Sequence, residues 1–276
     1  MTSSYRQFFG LHNEPFTADI KRKDILVTPS LKGVEERIHY ALRIGGIAVI
    51  TGEIGSGKST ALRYVIGGLH PSEHRIVYVT ASSGSILELY RQILGELGVS
   101  LCGSSRALMT QRIKQEIVEL VQGKKMKAAL VIDEASLLRL EVFAELHTLT
   151  QFDQDSKPFL PIVLAGQSNL VDNLRYRNCL PLASRVVAKT HLQGSDQKTM
   201  EEYLRHHLGI AGVKQMLFDE TAVTAIHQGS GGLFRKANHL ARGALVAAAR
   251  GDSQAVTAEH VRLAATELIL TDGRVL

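Results

Sequence analysis

One run of nine residues, Gly52-Glu53-Ile54-Gly55-Ser56-Gly57-Lys58-Ser59-Thr60, limits what this chain can fold into more than any other segment. It fits the pattern GxxxxGK[ST], and its surroundings fit as well. The apolar run Ile47–Thr51 before it reads as a strand, and Ala61, Leu62, Val65, Ile66 and Leu69 after it recur at helical spacing. Strand, glycine-rich loop and helix in that order wrap backbone N–H groups around a phosphate at the helix N-terminus. Lys58 would then reach the β- and γ-phosphates of ATP, and Ser59 would ligate Mg²⁺. A glycine-rich turn carrying an ordinary surface lysine is the alternative for the same residues.

A second apolar run, Ala128–Ile132, ends in Asp133-Glu134. A buried parallel strand delivers its last residues to the ligand edge of a sheet. Asp133 would join the Mg²⁺ shell there, and Glu134 would orient or deprotonate the attacking water. The bland alternative is two acids opening a helix, where they favour its dipole. The run Leu160–Ala165 leads into Gly166-Gln167-Ser168-Asn169. If its strand lies between the other two, Gln167 or Asn169 points at the γ-phosphate; otherwise Ser168 and Asn169 make a turn and an N-cap.

Two further strands are expected, Arg75–Thr80 and Val186–Leu192. Helical periodicity separates the strands: Ile86, Leu89, Tyr90, Ile93, Leu94 and Leu97 behind Ser85, then Leu108 to Val121 stopping at Gly123. Strands alternating with helices predict an α/β fold, a parallel sheet covered on both faces. After about Gln193 the strand signal vanishes. Helices are expected at Ser195–Leu208, Asp219–Gln228, Phe234–Ala249 and Thr257–Leu268. The expected organisation is therefore a nucleotide-binding core with an N-terminal extension over 1–192 and a helical lid over 193–276.

The 276 residues suffice for a full core, and 45% hydrophobic with 21% charged residues is an ordinary globular composition. Cys102 and Cys179 are far apart and outside any CxxC, which favours plain packing over a disulfide or zinc framework and points to the cytoplasm. No stretch approaches 18 apolar residues, so no membrane segment is expected. The net charge of +5 lies wholly in the first part, which has 23 Lys+Arg against 18 Asp+Glu up to Leu192. Leu101–Lys127 and Asn173–Gly194 carry much of it, a balance that permits nucleic-acid contact without demanding it. Arg175, Arg177 and Arg185 precede the last expected strand. One of them, Arg185 first because it abuts the strand, could reach a neighbouring subunit's γ-phosphate. Arg235, behind Gly231-Gly232, stands where a lid residue could read the nucleotide, or it is simply solvated. The histidines show no ligand spacing.

With these residues placed, the sequence resembles AAA+ ATPases of the ExeA/GspA type, closely related to the TniB, TnsC and MuB transposition ATPases. Phe8-Phe9-Gly10-Leu11 with Pro15-Phe16 looks like that family's opening. Thr51-Gly52-Glu53, Ala165-Gly166-Gln167, Ser184-Arg185-Val186 and Gly231-Gly232…Arg235 follow in family order. The resemblance implies a P-loop NTPase with Walker A (52–60), Walker B (Asp133, Glu134), sensor 1 (Gln167), arginine finger (Arg185) and sensor 2 (Arg235). Secretion members usually show Pro-Asp-Pro after the opening, then a membrane segment and a further domain. Here Thr17-Ala18-Asp19-Ile20 replaces the run and the sequence ends, which resembles stand-alone members associated with transposases. Asn169-Leu170 stands where Glu-Leu is common. The expectation is an ATP-hydrolysing regulator that assembles as a ring or filament on duplex DNA and recruits a transposase. The alternative is a cytoplasmic ATPase supporting assembly of a secretion machine.

Overall fold

The structure is a computed structural model, which describes residues 2–100 and 105–267. Cys102 and the expected end of the last helix at Leu268 lie outside the described residues. The chain packs into two compact units. One comprises Pro29–Gly52 and Lys58–Leu192; the other comprises Met1–Thr28, Glu53–Gly57 and Gln193–Leu276.

The first unit is built on five parallel strands: β1 (Ile47–Gly52), β2 (His74–Thr80), β3 (Lys127–Asp133), β4 (Ile162–Gly166) and β5 (Val186–Leu192). Their spatial order is β2-β3-β4-β1-β5. Every residue of β1 and β4 is buried, as is β3 from Ala128 onward. Runs such as Ile-Ala-Val-Ile and Ile-Val-Leu-Ala suit strands covered on both faces. The edge strands β2 and β5 are only partly buried, and β5 alternates half-buried and exposed positions before burying Leu192.

In sequence the first unit's helices are α2 (Pro29–Ile44), α3 (Lys58–Ile66), α4 (Ile86–Glu96), α5 (Arg106–Val118), α6 (Leu140–Leu146), α7 (Asn169–Arg175) and α8 (Leu180–Ala183); α1 (Thr2–Phe9) belongs to the second unit. Ser85 takes the N-cap position of α4 as expected, but its side chain makes no capping bond. Helix α2 was not anticipated. Its signal was present: Pro29 suits a first helical position, and Leu31, Val34, Ile38 and Ala41 recur at helical spacing and are all buried.

The second unit contains α9 (Gln197–Ile210), α10 (Glu220–Ser230), α11 (Phe234–Arg250) and α12 (Ala258–Thr266). Asp196 and Asp219 cap α9 and α10 by accepting from the N–H groups of Thr199 and Ala222. That satisfies donors which the helix itself leaves free. The N-terminal residues pack within this unit. Tyr5, Phe9, Leu11 and Phe16 enter a cluster with Leu204, Leu208, Phe218, Ala237 and Leu240. The reason is bulk: α11 presents mostly alanines, and large side chains must come from elsewhere to fill the space.

Candidate active site

Gly52, Asp133 and Gln167 lie at or just beyond the C-terminal ends of the central strands β1, β3 and β4. Strand β4 pairs with β1 on one side and β3 on the other. Gln167 and Asn169 therefore follow a strand flanked by the one leading to the 52–60 loop and the one ending in Asp133.

The loop leaves β1 at Gly52 and enters α3 at Lys58. Gly55 and Gly57 have φ of +86° and +98°, a region closed to most side chains. Ser56 N–H donates to Glu53 O at 3.1 Å, which closes the turn. Lys58 is buried despite its charge, and its Nζ donates to Gly52 O at 2.9 Å. A buried ammonium needs compensation, and the carbonyl at the end of β1 supplies part of it. Ser56 Oγ is buried without a hydrogen-bond partner among the described residues. An orphaned hydroxyl inside a glycine loop is what a phosphate oxygen would satisfy. Below the loop, Thr51 Oγ1 lies 3.0 Å from His191 Nδ1 and ties the end of β1 to β5.

Asp133 is buried, and both of its oxygens are held. Oδ1 accepts from Glu134 N–H at 2.9 Å and Oδ2 from Tyr78 Oη–H at 2.8 Å. Tyr78 sits on β2 beside β3, two register positions before the Thr80–Asp133 pair. Burial first, then this bond, raise its phenol pKa. Sequence reading did not find it; a tyrosine two residues from the end of the neighbouring strand is the available signal. Glu134 adopts φ 53°, ψ 30°, left-handed for a non-glycine residue. Strain of this kind persists where surrounding structure enforces it, and it concentrates at functional sites. The half-buried Glu134 thus leaves the strand direction sharply. The turn continues through Ser136, whose Oγ accepts from Gln167 N–H at 3.2 Å. The Asp133-Glu134 turn and the end of β4 are therefore joined directly. Asn169 begins α7 and is exposed; Ser168 before it makes no side-chain cap.

The arginines separate. Arg185 Nη2 contacts Asp155 Oδ2 at 2.6 Å, and that hydrogen bond lowers the Asp155 pKa. Arg175 is exposed and pairs with Asp172. Arg177 is exposed and has no ion pair among the described residues. In the helical unit, which includes the 53–57 loop, Arg235 N–H donates to Gly55 O at 3.3 Å. A methyl group on Gly55 would stand 2.8 Å from Arg235 Cβ. The backbone and Cβ of Arg235 thus lie against the 53–57 loop.

Cys179 is a free, buried thiol with its pKa raised by burial, in keeping with packing. No helix among the described residues is long and apolar enough to cross a membrane.

Residues 43–174 match the AAA domain family. The chain is 31% identical over 267 residues to general secretion pathway protein A of Aeromonas hydrophila, covering 96% of this chain and 48% of that protein. The chain thus spans about half the length of this curated relative. Among solved structures, Cdc6p from Pyrobaculum aerophilum superposes with a TM-score of 0.73 at 17% identity, covering 92% of this chain and 70% of that one. The Aeropyrum pernix ORC1 protein, solved in complex with DNA, gives 0.66 at 19%, covering 91% and 68%. The Thermotoga maritima RuvB Holliday junction branch migration motor gives 0.53 at 16%, covering 86% and 69%. At such identities these three show the fold alone, a parallel sheet with helices followed by a helical C-terminal region; the AAA match rests on residues 43–174.

Proposed function

We propose that this chain, an AAA-domain homologue of general secretion pathway protein A, is a Mg²⁺-dependent ATPase that supports assembly of a secretion machine. The observation that carries the ATPase part is the site itself. A glycine loop with an orphaned Ser56 hydroxyl and a buried Lys58 follows β1, and a doubly held Asp133 ends β3, with β4 between the two strands. The secretion part rests on similarity along 96% of the chain. That similarity reverses the order of the two sequence-based readings, because it is to a secretion protein, and similarity to TniB, TnsC or MuB has no comparable support.

In this reading the backbone N–H groups of residues 53–57 bind the ATP phosphates, and Lys58 supplies the fixed positive charge. Ser59 and Asp133 would hold Mg²⁺, which neutralises phosphate charge during transfer. Tyr78 and the Glu134 N–H keep the Asp133 carboxylate aimed. Glu134 takes the proton of the attacking water, and the strained turn sets its direction. Gln167 positions the γ-phosphate, and Arg235 adds charge to the phosphates wrapped by the loop. Arg185 acts in trans in a homo-oligomer, exchanging Asp155 for a neighbour's phosphate; unpaired Arg177 is the next residue to test.

The test is hydrolysis of MgATP by the purified chain. Lys58→Ala should lose both nucleotide binding and turnover. Mixing Arg185→Ala with Glu134→Gln protein should restore part of the activity if the site is shared. Absence of MgATP hydrolysis under every condition would overturn the enzyme reading. The DNA reading has its own arm, duplex titrated with an ATP analogue at low and high salt. Strong, salt-sensitive binding would return the transposition role to first place.

A further inference from the structure

We propose that the opposite edge of the sheet carries a second anion site, built to take a phosphate group. It lies where β2 and β3 begin. Their first residues, His74 and Lys127, are register partners on adjacent strands. Helix α2 runs past this edge and presents His39, Tyr40 and Arg43 to the same cavity, of about 460 Å³. That volume falls within the range of small-molecule sites, roughly 300–1,000 Å³.

Three observations converge. First, His74 Nδ1 is buried and has no hydrogen-bond partner among the described residues. Buried ring nitrogens are almost always paired, so this residue of the cavity lining carries hydrogen-bonding capacity that the fold does not use. Second, the polar side chains come from three separate elements: the cations Arg43 from α2 and Lys127 from β3, and the imidazole of His74 from β2. Donors arriving from several directions suit an anion with three spread acceptor oxygens and a charge of about −1.5 to −2, better than a planar carboxylate. Glu36 is the one acidic side chain lining the cavity, and Lys124 and Lys125 lie just before Lys127. Third, the Arg43 guanidinium sits over the Tyr40 ring at 5.6 Å. That contact steadies a long side chain which would otherwise lose entropy on binding. Leu42 and Leu69 add an apolar wall for the body of an ester.

The site is separate from the nucleotide residues. β3 has seven residues from Lys127 to Asp133, so its ends are about 20 Å apart. The inference therefore stands or falls independently of ATP hydrolysis. Free phosphate monoesters offer this group in full, nucleic-acid backbones offer a phosphate with two free oxygens and a single charge, and the experiment separates them.

The probe is inorganic phosphate, titrated into histidine-labelled full chain and followed by the imidazole resonances of His39 and His74. His39→Gln and His74→Gln supply the assignments. A Lys58→Ala background removes phosphate held by the glycine loop. The expected result is a saturable shift of both resonances, weakened at least about tenfold by Arg43→Gln with Lys127→Gln, since each lost charged hydrogen bond is worth that much. Both substituted residues are exposed, and circular dichroism checks the fold. Should the double variant fail to fold, Lys127→Met alone serves. In the second arm, a short duplex oligonucleotide replaces phosphate. Shifts with both probes assign a backbone phosphate, and shifts with inorganic phosphate alone assign a free ester; either retains the site. No saturable shift with inorganic phosphate, or a shift indifferent to Arg43 and Lys127, would overturn it.

Discussion

In the sheet unit, β1 and β4 are buried along their whole length, and Ile, Val and Leu fill the core around them. In the helical unit, α11 buries Ala237, Leu240, Ala241, Ala244, Leu245 and Ala248, and much of the bulk comes from Tyr5, Phe9 and Phe16. The first arrangement fixes chemistry through the backbone. Asp133, Glu134 and Gln167 end strands or follow them, and the hydrogen-bond ladder sets their spacing. The second depends on side chains brought from distant sequence. Phe16 stacks on His207 at 5.5 Å, and Tyr203 lies 4.3 Å from the same imidazole. Each unit should therefore fail in its own way: the sheet unit should lose turnover while keeping its fold, and the helical unit should lose its fold.

The largest expected effect sharpens the first half of that contrast. Glu134→Gln should lower MgATP turnover by about 10²–10⁴-fold, the usual contribution of a positioned general base. Nucleotide affinity and unfolding midpoint should stay near those of wild type. An equal loss of stability would mean that Glu134 supports the turn and not the reaction.

Phe16→Ala tests the other half. Phe16 is fully buried against His207 and Phe218. Its truncation should cost about 3–5 kcal/mol, read as a lower denaturant midpoint. A change below about 1 kcal/mol would show that the N-terminal segment adds little to this core.

Acid should act on the same cluster. Burial, then the neighbouring His206, push the His207 pKa down from 6.5 to about 4. The folded state thus prefers the neutral imidazole. The contribution is complete above about pH 6.5 and is lost as pH falls toward 4. The unfolded chain binds the proton first, so the loss reaches about 3 kcal/mol. Denaturation series at pH 7 and pH 4, with His207→Phe alongside, check this; the variant should lose less.

The smallest effect probes the loop that packs with the helices. Gly55→Ala forces a side chain into φ +86° and against Arg235. Strain of about 1–3 kcal/mol follows, and nucleotide affinity should fall by about tenfold with Arg235 displaced. Unchanged affinity would separate Arg235 from the phosphate-binding role.

All five expected strands are present within one or two residues of their expected bounds, and the four late helices are found. These features are local: apolar runs, caps and glycines act on near neighbours in sequence. The placement of Asp133 at the end of a buried parallel strand was also readable, because strands alternating with helices implied a parallel sheet. Tyr78 on Asp133, Ser136 on Gln167 and Asp155 on Arg185 were not readable, since each pair is joined only once strands or turns 30 to 55 residues apart meet. The N-terminal aromatics were legible as a motif but not as the core of the helical unit. The sequence by itself determined the sheet, the loop and the acids that follow the third strand, because periodicity and backbone preference are short-range. Tertiary structure alone decided which side chains hold those acids, where residues 5–16 pack and that His74 and Arg43 line one cavity, because cavities and partners exist only after distant segments compete for the same space.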